Sequence, residues 1–229
     1  MISLPRLYAI LDAGCFPNAQ ALFAAAEELA GGGCTLLQYR NKSGNARVML
    51  EQARELKKRL GLWSGGRPRP LVSSESVPRT GASGAPQSVR LIMNDRADLC
   101  LAADIDGVHV GQEDLSPESV RKIIEPDRWL GVSTHNPEQI READQTSADY
   151  LAIGPVFPTS SKERPDPVVG LDGVRRARAL THKPLVAIGG ITRANARSVI
   201  EAGADSVALI SDLLRDPRKS AEEFFRVLR

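Results

Sequence analysis

The feature that most constrains the fold of this chain is a regular alternation of short apolar segments with longer amphipathic ones. The short segments are nearly continuous in apolar residues, which is typical of parallel strands buried on both faces. The longer segments carry a helical period, as in Ala19–Ala30, Ala46–Leu60 and Asn195–Ala202. The predicted strands are Arg6–Leu11, Thr35–Tyr39, Arg90–Met93, Gly107–Val110, Trp129–Val132, Tyr150–Ile153, Pro184–Ile188 and Ser206–Ile210.

Eight strands in strict alternation with helices predict an α/β protein of the (β/α)₈, or TIM-barrel, class. The 229 residues suit a single barrel domain that covers the whole chain, residues 1–229. A doubly wound open sheet is the alternative, although such a sheet more often contains five or six strands. Helix starts are indicated by Ser116 followed by Pro117, and by the capping residue types at Asn136 and Thr192.

Residues 61–88 interrupt this alternation. Of these 28 residues 15 are Gly, Pro or Ser, and no hydrophobic period runs through them. Such a composition buries too little apolar surface to offset the cost of ordering the backbone. The segment is therefore predicted to be a mobile insertion between the second helix and the third strand, at the N-terminal face of the barrel. An ordered Ω-loop is the alternative.

Composition narrows the class of function. Thirty Lys and Arg residues balance 28 Asp and Glu, and the bases do not cluster, so no nucleic-acid partner is expected. Cys15, Cys34 and Cys100 are widely spaced, which favours free thiols in a reducing compartment over disulfides or zinc ligands. No segment has the roughly 20 apolar residues of a membrane span. A soluble, cytoplasmic protein is expected, and its oligomeric state is left open.

The residues at the C-terminal ends of barrel strands form the active site in this fold, because the strand-to-helix loops converge there. In this chain those positions carry carboxylates, cations, hydroxyls and a glycine pair. Such a set suits an anionic, metal-bound substrate. The segments are Gln38–Lys42, Asn94–Arg96, Gly111–Asp114, Ser133–His135, Gly154–Lys162, Gly189–Gly190 and Ile210–Ser211.

Asp95 and Asp114 follow adjacent predicted strands, and neighbouring strands lie about 4.8 Å apart. Two acids so close raise each other's pKa unless a cation lies between them. Magnesium prefers oxygen ligands and typically takes one or two carboxylates together with substrate phosphates. The pair is therefore predicted to bind one Mg²⁺ ion. The alternative is that Asp95 caps one helix and Asp114 merely precedes another.

Cations and glycines complete the predicted site. Arg40 and Lys42 lie two residues apart, so they point the same way if the strand extends that far, and Lys162 lies in a long loop. Such side chains bind phosphate oxygens, although solvated surface charges are the alternative. The loops that carry Gly189-Gly190 and Ser211 are predicted to bind phosphate through backbone N–H groups, the alternative being a plain tight turn.

Several stretches carry a resemblance to a known family: GGCTLLQYRNK, MNDRADLCLAADIDGVHVGQEDL, LGVSTHNPEQ, ADYLAIGPVFPTSSK and VAIGGITRANARSVIEAGADSVALIS. With them the chain resembles the thiamine phosphate synthases along nearly its whole length, outside residues 61–88. The resemblance implies a Mg²⁺-dependent barrel enzyme. Its reaction joins 4-amino-2-methyl-5-hydroxymethylpyrimidine diphosphate to a thiazole phosphate and releases pyrophosphate.

The resemblance also implies site residues at the matching positions. Asp95 and Asp114 would bind the metal. The thiazole phosphate would contact Thr159, Ser160, Ser161, Gly190, Ile210 and Ser211. The pyrimidine diphosphate would contact Gln38, Tyr39, Arg40, Asn41, Lys42, Asn94, Ser133 and Lys162, of which Arg40, Lys42, Ser133 and Lys162 would be catalytic.

Two positions depart from the family pattern. Asn41 stands where the family usually has Glu, and Ser161 where it usually has Thr. Ser161 keeps the hydroxyl, whereas Asn41 removes a negative charge, so altered affinity for the diphosphate is expected. Two other functions remain as alternatives: a metal-free isomerase resembling thiazole tautomerase, with His135 as acid or base, and a catalytically silent ligand-binding barrel. Otherwise His135 is expected to line the pocket and His109 to be structural.

Overall fold

A computed structural model describes residues 2–61, 88–159 and 166–229, and within these ranges eight parallel strands close into a barrel. The strands are β1 (Leu7–Asp12), β2 (Leu36–Arg40), β3 (Arg90–Asn94), β4 (Gly107–Val110), β5 (Trp129–Thr134), β6 (Tyr150–Ile153), β7 (Leu185–Ile188) and β8 (Ser206–Leu209). Each strand pairs with the next along the chain, and β8 closes the barrel on β1. The predicted (β/α)₈ barrel is confirmed.

Helices follow the strands around the outside of the barrel. They are α1 (Ala19–Gly31), α2 (Ala46–Gly61), α3 (Ala97–Ala102), α4 (Pro117–Ile123), α5 (Pro137–Asp144), α6 (Gly170–Leu180), α7 (Ala196–Glu201) and α8 (Pro217–Val227). Short 3₁₀ helices, Ala13–Cys15 and Ser211–Leu213, follow β1 and β8. Within the described ranges, none of the helices is long and apolar enough to cross a bilayer.

The predicted helix caps are confirmed at two of three positions. The side chains of Ser116 and Asn136 accept hydrogen bonds from the N–H groups of Ser119 and Gln139, at 3.3 Å and 2.9 Å. Thr192 was wrongly predicted as a cap. It lies in a turn before α7, where its own N–H donates to the side chain of Asn195.

Several strands extend one or two residues beyond their predicted C-terminal ends. β1 ends at Asp12, β2 at Arg40 and β5 at Thr134, although these residues are polar or charged. The strands continue because parallel neighbours still provide partners there, as in the register pair of Asp12 with Arg40. Backbone pairing, rather than the end of the apolar run, therefore sets these boundaries, and it carries polar side chains onto the barrel rim.

Alternation along each strand divides the core into two layers. Outward residues such as Leu7, Ala9 and Leu11 are fully buried against the helices and belong to the larger apolar cluster. Inward residues form a smaller cluster inside the barrel, which includes Tyr8 and Tyr150. The barrel interior therefore combines apolar side chains with phenol groups, which need hydrogen-bond partners because they are buried.

A contact between an aspartate, a backbone N–H and a helix cation occurs three times at the N-terminal end of the barrel. An aspartate directly precedes each of β4, β6 and β8: Asp106, Asp149 and Asp205. Each carboxylate accepts a hydrogen bond of 2.8 Å from a backbone N–H at the start of the strand before it, β3, β5 or β7. Each also pairs with a cation from the helix that precedes that odd-numbered strand. The cations are Lys57, Arg121 and Arg178, at 2.5 Å, 2.7 Å and 2.9 Å.

The predicted mobile insertion, residues 61–88, lies almost wholly outside the described residues, which resume at Ser88. The elements on either side of it are described. α2 ends at Gly61 and β3 begins at Arg90. In a barrel of this class a helix ends, and the next strand begins, at the N-terminal face. The connection therefore joins two points at the end of the barrel opposite the strand C-termini.

Candidate active site

A cavity of about 370 Å³ opens at the C-terminal ends of the strands. It is deep enough that inward residues of the barrel, such as Tyr8 and His109, form part of its wall. It brings together many of the residues predicted from the strand ends. Those that line it are Gln38, Arg40, Asn94, Ser133, Thr159, Gly190, Ile210 and Ser211.

Asp95 and Asp114 lie side by side on the barrel rim, directly after β3 and in the loop after β4, as predicted from their adjacent strands. Neither residue is among those that line the cavity, although Asn94, next to Asp95, does. Burial raises the pKa of the Asp114 carboxyl, and the neighbouring Asp95 carboxylate raises it further, whereas the N–H of Gly111 and the charge of Lys42 lower it. The backbone of Asp95 adopts a left-handed conformation with φ of 62°. That conformation is uncommon outside glycine, and it holds the Asp95 carboxylate toward its partner.

This acid pair fits a divalent cation. Carboxyl groups close enough to share a hydrogen bond repel each other when both are ionised, and a cation between them removes the repulsion. Across the described ranges, no three His, Cys, Asp or Glu side chains converge to hold a metal ion. Two carboxylates alone favour magnesium, because that ion normally completes its shell with water and substrate phosphate.

Arg40 lines the cavity, whereas Lys42 lies next to the acid pair and is not among the residues that line it. Arg40 forms an ion pair with Asp12, the last residue of β1, whose other carboxylate oxygen accepts the N–H of Gly14 at 3.1 Å. Lys42 Nζ lies 2.5 Å from Asp95 Oδ2. Asp12 was not predicted as a site residue, because the predicted strand ends at Leu11. The signal was available, because Asp12 also occupies the C-terminal end of a strand.

Tyr39 and Asn41 lie on the opposite face of β2. The Tyr39 hydroxyl donates to Gln52 on α2 at 2.6 Å and accepts from the Asn41 side chain at 3.0 Å. Asn41 Oδ1 accepts the N–H of Ser43 at 2.8 Å. Both side chains therefore stabilise the turn that carries Lys42 and point away from the cavity. Neither residue is among those that line the cavity.

A chain of hydrogen bonds crosses the cavity floor inside the barrel. Gln38 Nε2 donates to the Tyr8 hydroxyl at 2.8 Å, and this hydroxyl lies 3.0 Å from that of Tyr150. The Tyr150 hydroxyl is 3.1 Å from His109 Nδ1, and His109 Nε2 is 2.8 Å from Ser133 Oγ. Five side chains from five strands thus hold one another in place beneath the cavity.

His109 is neutral at physiological pH, because burial lowers its pKa to about 4. A neutral imidazole has one donor and one acceptor nitrogen. Because Gln38 already donates to Tyr8, both phenol hydrogens find an acceptor if Tyr8 donates to Tyr150 and Tyr150 donates to His109 Nδ1. His109 Nε2–H then donates to Ser133, whose hydroxyl hydrogen is left to face the cavity.

His109 is held in this network, which fits the expectation of a structural residue, and it also lines the cavity. His109, Tyr8 and Tyr150 were not recognised as site residues, since none of them lies at the C-terminal end of a predicted strand. Alternation along a strand shows which residues share a face, but it does not show which face points into the barrel.

The glycine pair after β7 is required by the fold itself. Gly189 and Gly190 have φ of 99° and 65°. A Cβ atom on Gly190 would lie 2.5 Å from the carbonyl oxygen of Pro158, so the loop after β6 packs directly on this turn. The two glycines thus form a tight turn, as the alternative interpretation stated. The turn nonetheless lines the cavity together with Ser211, as a phosphate-binding loop would.

The loop after β6 is described only in part. Thr159 lines the cavity, whereas the predicted residues Ser160, Ser161 and Lys162 lie outside the described residues. His135 lines the cavity as expected, and its Nδ1 lies 2.6 Å from the carbonyl oxygen of Gly154. Because a carbonyl oxygen only accepts, Nδ1 carries the hydrogen.

Comparisons with known proteins agree with this geometry. A family model described as thiamine monophosphate synthase matches residues 75–213. A thiamine-phosphate synthase from Koribacter versatilis (strain Ellin345) is 55% identical, over 99% of this chain and 97% of the relative. One from Chloroflexus aurantiacus (strain ATCC 29366 / DSM 635 / J-10-fl) is 40% identical, over 90% of this chain and 83% of the relative.

A solved structure gives the same result. The thiamine phosphate pyrophosphorylase from Pyrococcus furiosus superimposes with a TM-score of 0.78 at 32% identity, over 97% of this chain and 95% of that chain. The chain therefore belongs to the thiamine-phosphate synthase family of transferases.

Proposed function

We propose that this chain condenses 4-amino-2-methyl-5-hydroxymethylpyrimidine diphosphate with a thiazole phosphate to give thiamine phosphate and pyrophosphate, in the presence of Mg²⁺. One observation carries the proposal: a pair of carboxylates and two cations lie together on the barrel rim, next to a cavity whose wall includes Arg40 and a glycine turn. The rim suits a diphosphate with its metal ion, and the turn suits a second phosphate.

The proposed reaction is a dissociative displacement. The bond between the pyrimidine methylene carbon and the diphosphate oxygen breaks, and its electron pair leaves with the diphosphate. The 4-amino group donates electrons into the ring and stabilises the methylene cation, which the lone pair of the thiazole nitrogen then attacks. Atoms and charge balance without a proton transfer, so the site needs neither a nucleophile nor a general base.

The protein would contribute binding, charge and alignment. Arg40, Lys42 and Lys162 would bind the departing diphosphate, with Ser133 donating its hydroxyl hydrogen. Asp95 and Asp114 would hold the magnesium ion, which when bound supplies positive charge to the diphosphate oxygens. Thr159, Ser160, Ser161, Gly190, Ile210 and Ser211 would hold the thiazole phosphate so that its ring nitrogen faces the methylene carbon.

The cavity floor supports an aminopyrimidine as the bound ring. Its hydrogen-bonded side chains include the carboxamide of Gln38 and the neutral imidazole of His109, with apolar neighbours such as Val186 and Ile188. A carboxamide can pair with an amino group and a ring nitrogen at once, and a neutral floor does not repel a methylene cation.

Two of the three cysteines are buried and all are free, which supports a reducing, cytoplasmic location.

The reaction is tested by incubating the purified protein with both phosphorylated substrates while Mg²⁺ is titrated. Thiamine phosphate is detected by oxidation to its fluorescent thiochrome, and pyrophosphate is measured separately. We expect both products in equal amounts, loss of activity with EDTA and recovery with added Mg²⁺. Full activity in EDTA would exclude the proposed metal role.

The acid pair is tested by Asp95→Asn, since Asn tolerates the left-handed backbone of this position. Loss of one charged ligand should lower turnover by about two to three orders of magnitude and raise the Mg²⁺ concentration for half-maximal rate. Asp104→Asn is a matched control, because Asp104 has φ of 53° but lies away from the cavity, paired with Arg128. Equal activity of the two variants would contradict the assignment.

The two alternative functions predict other outcomes. A metal-free isomerase would convert the thiazole phosphate alone and would be insensitive to EDTA, with His135 as its acid or base. A silent ligand-binding barrel would bind the substrates without turnover. The charged rim formed by Arg40, Lys42, Asp95 and Asp114 favours the transferase, because neither alternative uses an acid pair next to two cations.

A further inference from the structure

We propose that Arg193 is a positioning residue for the thiazole phosphate. It holds the loop after β7 against the 3₁₀ helix after β8 and neutralises Asp212, the acidic residue next to Ser211. This inference deepens the proposed function and rests on it, since it assumes that the phosphate binds between these two loops.

The contacts of Arg193 join three elements. Its backbone N–H donates to Asp212 Oδ2, and its Nη2 donates to Asp212 Oδ1, both at 3.2 Å. Its Nη1 lies 2.6 Å from Glu223 Oε2 on α8. The guanidinium carbon is 5.9 Å from the centre of the Phe224 ring. A planar fork with this many partners has one defined orientation.

The contacts of Arg193 with Asp212 and Glu223 form a clamp, and both loops that the clamp joins line the cavity. Ile191 and Thr192 directly precede Arg193, and Ile210 and Ser211 directly precede Asp212, and all four line the cavity wall. The clamp therefore lies just behind the part of the wall where the phosphate is proposed to bind. A shift of one loop relative to the other would change the spacing of the groups that contact the phosphate.

The charge of Asp212 gives Arg193 a second task. Consecutive Cα atoms are 3.8 Å apart, so the Asp212 carboxylate lies within roughly 10 Å of any group that Ser211 binds. An unneutralised carboxylate at that distance would weaken the binding of a phosphate about tenfold at low salt. The guanidinium of Arg193 offsets part of this repulsion because it contacts the Asp212 carboxylate directly, although its charge is shared with Glu223.

A purely structural role for Arg193 is the competing explanation, in which the clamp only anchors α8. The two explanations differ in what removal of Asp212 should do. If Arg193 only anchors α8, an Arg193 variant should be equally impaired with or without the Asp212 charge, because the contacts with Glu223 and Phe224 are lost in both cases. If Arg193 also neutralises the Asp212 carboxylate, Asp212→Asn should leave phosphate affinity unchanged, because the repelling charge is gone.

The first variant is Arg193→Met, which keeps an apolar side chain of similar length and the backbone hydrogen bond to Asp212. We expect the KM for the thiazole phosphate to rise about tenfold. The KM for the pyrimidine diphosphate and the kcat at saturation should stay within about twofold, and the rise should shrink at high salt. Arg197→Met is the matched control, since Arg197 forms an exposed pair with Glu201 on the neighbouring helix, and it should change nothing.

The second measurement combines Arg193→Met with Asp212→Asn. We expect the double variant to regain most of the affinity for the thiazole phosphate that Arg193→Met loses, while Asp212→Asn alone stays near the wild type. If Arg193→Met proves too unstable to assay, Arg193→Gln replaces it, alone and together with Asp212→Asn, and we expect the single variant to raise the KM and the double variant to restore most of it. An unchanged KM in Arg193→Met, or no rescue in the double variant, would overturn the inference.

The failure of this inference and of the proposed function can be told apart. If the wild-type protein does not form thiamine phosphate, the proposed function fails and the inference falls with it. If the wild-type protein is active and the thiazole phosphate KM of Arg193→Met equals that of Arg197→Met, only the inference fails.

Discussion

At the scale of single residues, His109 takes its properties from its neighbours. It lies inward on β4 and is 8% exposed, between the hydroxyl groups of Tyr150 and Ser133. Burial disfavours the charged imidazole and lowers the pKa of His109 to about 4, below the ordinary value of 6.5. The side chain is therefore fixed as a neutral hydrogen-bonding link in the cavity floor.

This shift predicts how stability depends on pH. Between pH 6.5 and about 4 the unfolded chain binds a proton at His109 that the folded protein does not, so the free energy of unfolding falls as pH falls. The contribution lost across this window is roughly 3 kcal/mol. We expect the free energy of unfolding, measured with urea at several pH values, to fall less steeply with decreasing pH in His109→Gln than in the wild type. His182→Gln is the control, because His182 is exposed. If the free energy of unfolding of His182→Gln depended on pH as weakly as that of His109→Gln, the prediction would be contradicted.

The sequence predicted the rim of the site better than its floor. Asp95, Asp114 and Arg40 could be found because strand ends in a barrel face a common mouth, so position alone brings them together. Tyr8, Tyr150 and the role of His109 depend on which face of each strand points inward. That face is fixed by the register of the whole closed barrel, which no single segment reveals.

At the scale of elements, the barrel is closed by pairs of strands with a common device. Asp106, Asp149 and Asp205 each connect an even-numbered strand to the preceding odd-numbered one and to a helix cation. Before β2 the corresponding residue is Thr35, which has no carboxylate; its carbonyl oxygen accepts the N–H of Arg90 at the start of β3, as the carbonyl oxygen of Asp106 accepts that of Trp129 at the start of β5. The carboxylates satisfy backbone N–H groups at strand starts that would otherwise be left without partners.

Asp149→Asn tests the contribution of this device. Asp149 Oδ2 accepts from the backbone of Leu130 at 2.8 Å and from Arg121 at 2.7 Å. Loss of the charge weakens both bonds, and we expect a fall of about 1–2 kcal/mol in the free energy of unfolding by urea, with turnover unchanged. Asp172→Asn, in the exposed pair with Arg175 on α6, is the matched control and should have no measurable effect. Equal stability of the two variants would show that the device does not stabilise the barrel.

Element boundaries were predicted less accurately than element types. The apolar pattern gave the position of every strand, because burial on both faces leaves a strong signature. It placed the ends of β1, β2 and β5 too early, since backbone pairing with a neighbouring strand continues through polar residues. The Thr192 cap was wrong for a related reason, as the loop there folds into a turn against the 3₁₀ helix and α7 starts later, at Ala196.

At the scale of the whole molecule, the two ends of the barrel serve different purposes. The N-terminal end carries the aspartates that stabilise the closed sheet, and the C-terminal end carries the cavity with its acid pair and cations. The strands between them are packed on both faces. A change at the N-terminal end should therefore affect stability without altering the geometry of the cavity.

Deletion of Ser64–Gln87 tests this separation, since α2 ends at Gly61 and β3 begins at Arg90, away from the cavity. The deletion shortens the connection from the 28 residues 62–89 to four, a usual length between a helix and the next strand. A shorter closed loop loses less entropy on folding, so the free energy of unfolding should stay the same or rise by up to about 2 kcal/mol. Urea unfolding and the thiochrome assay measure both properties, and kcat/KM should stay within about twofold of the wild type. A large loss of stability would mean that the deleted residues pack on the barrel, and a loss of activity alone would mean that the two ends are coupled.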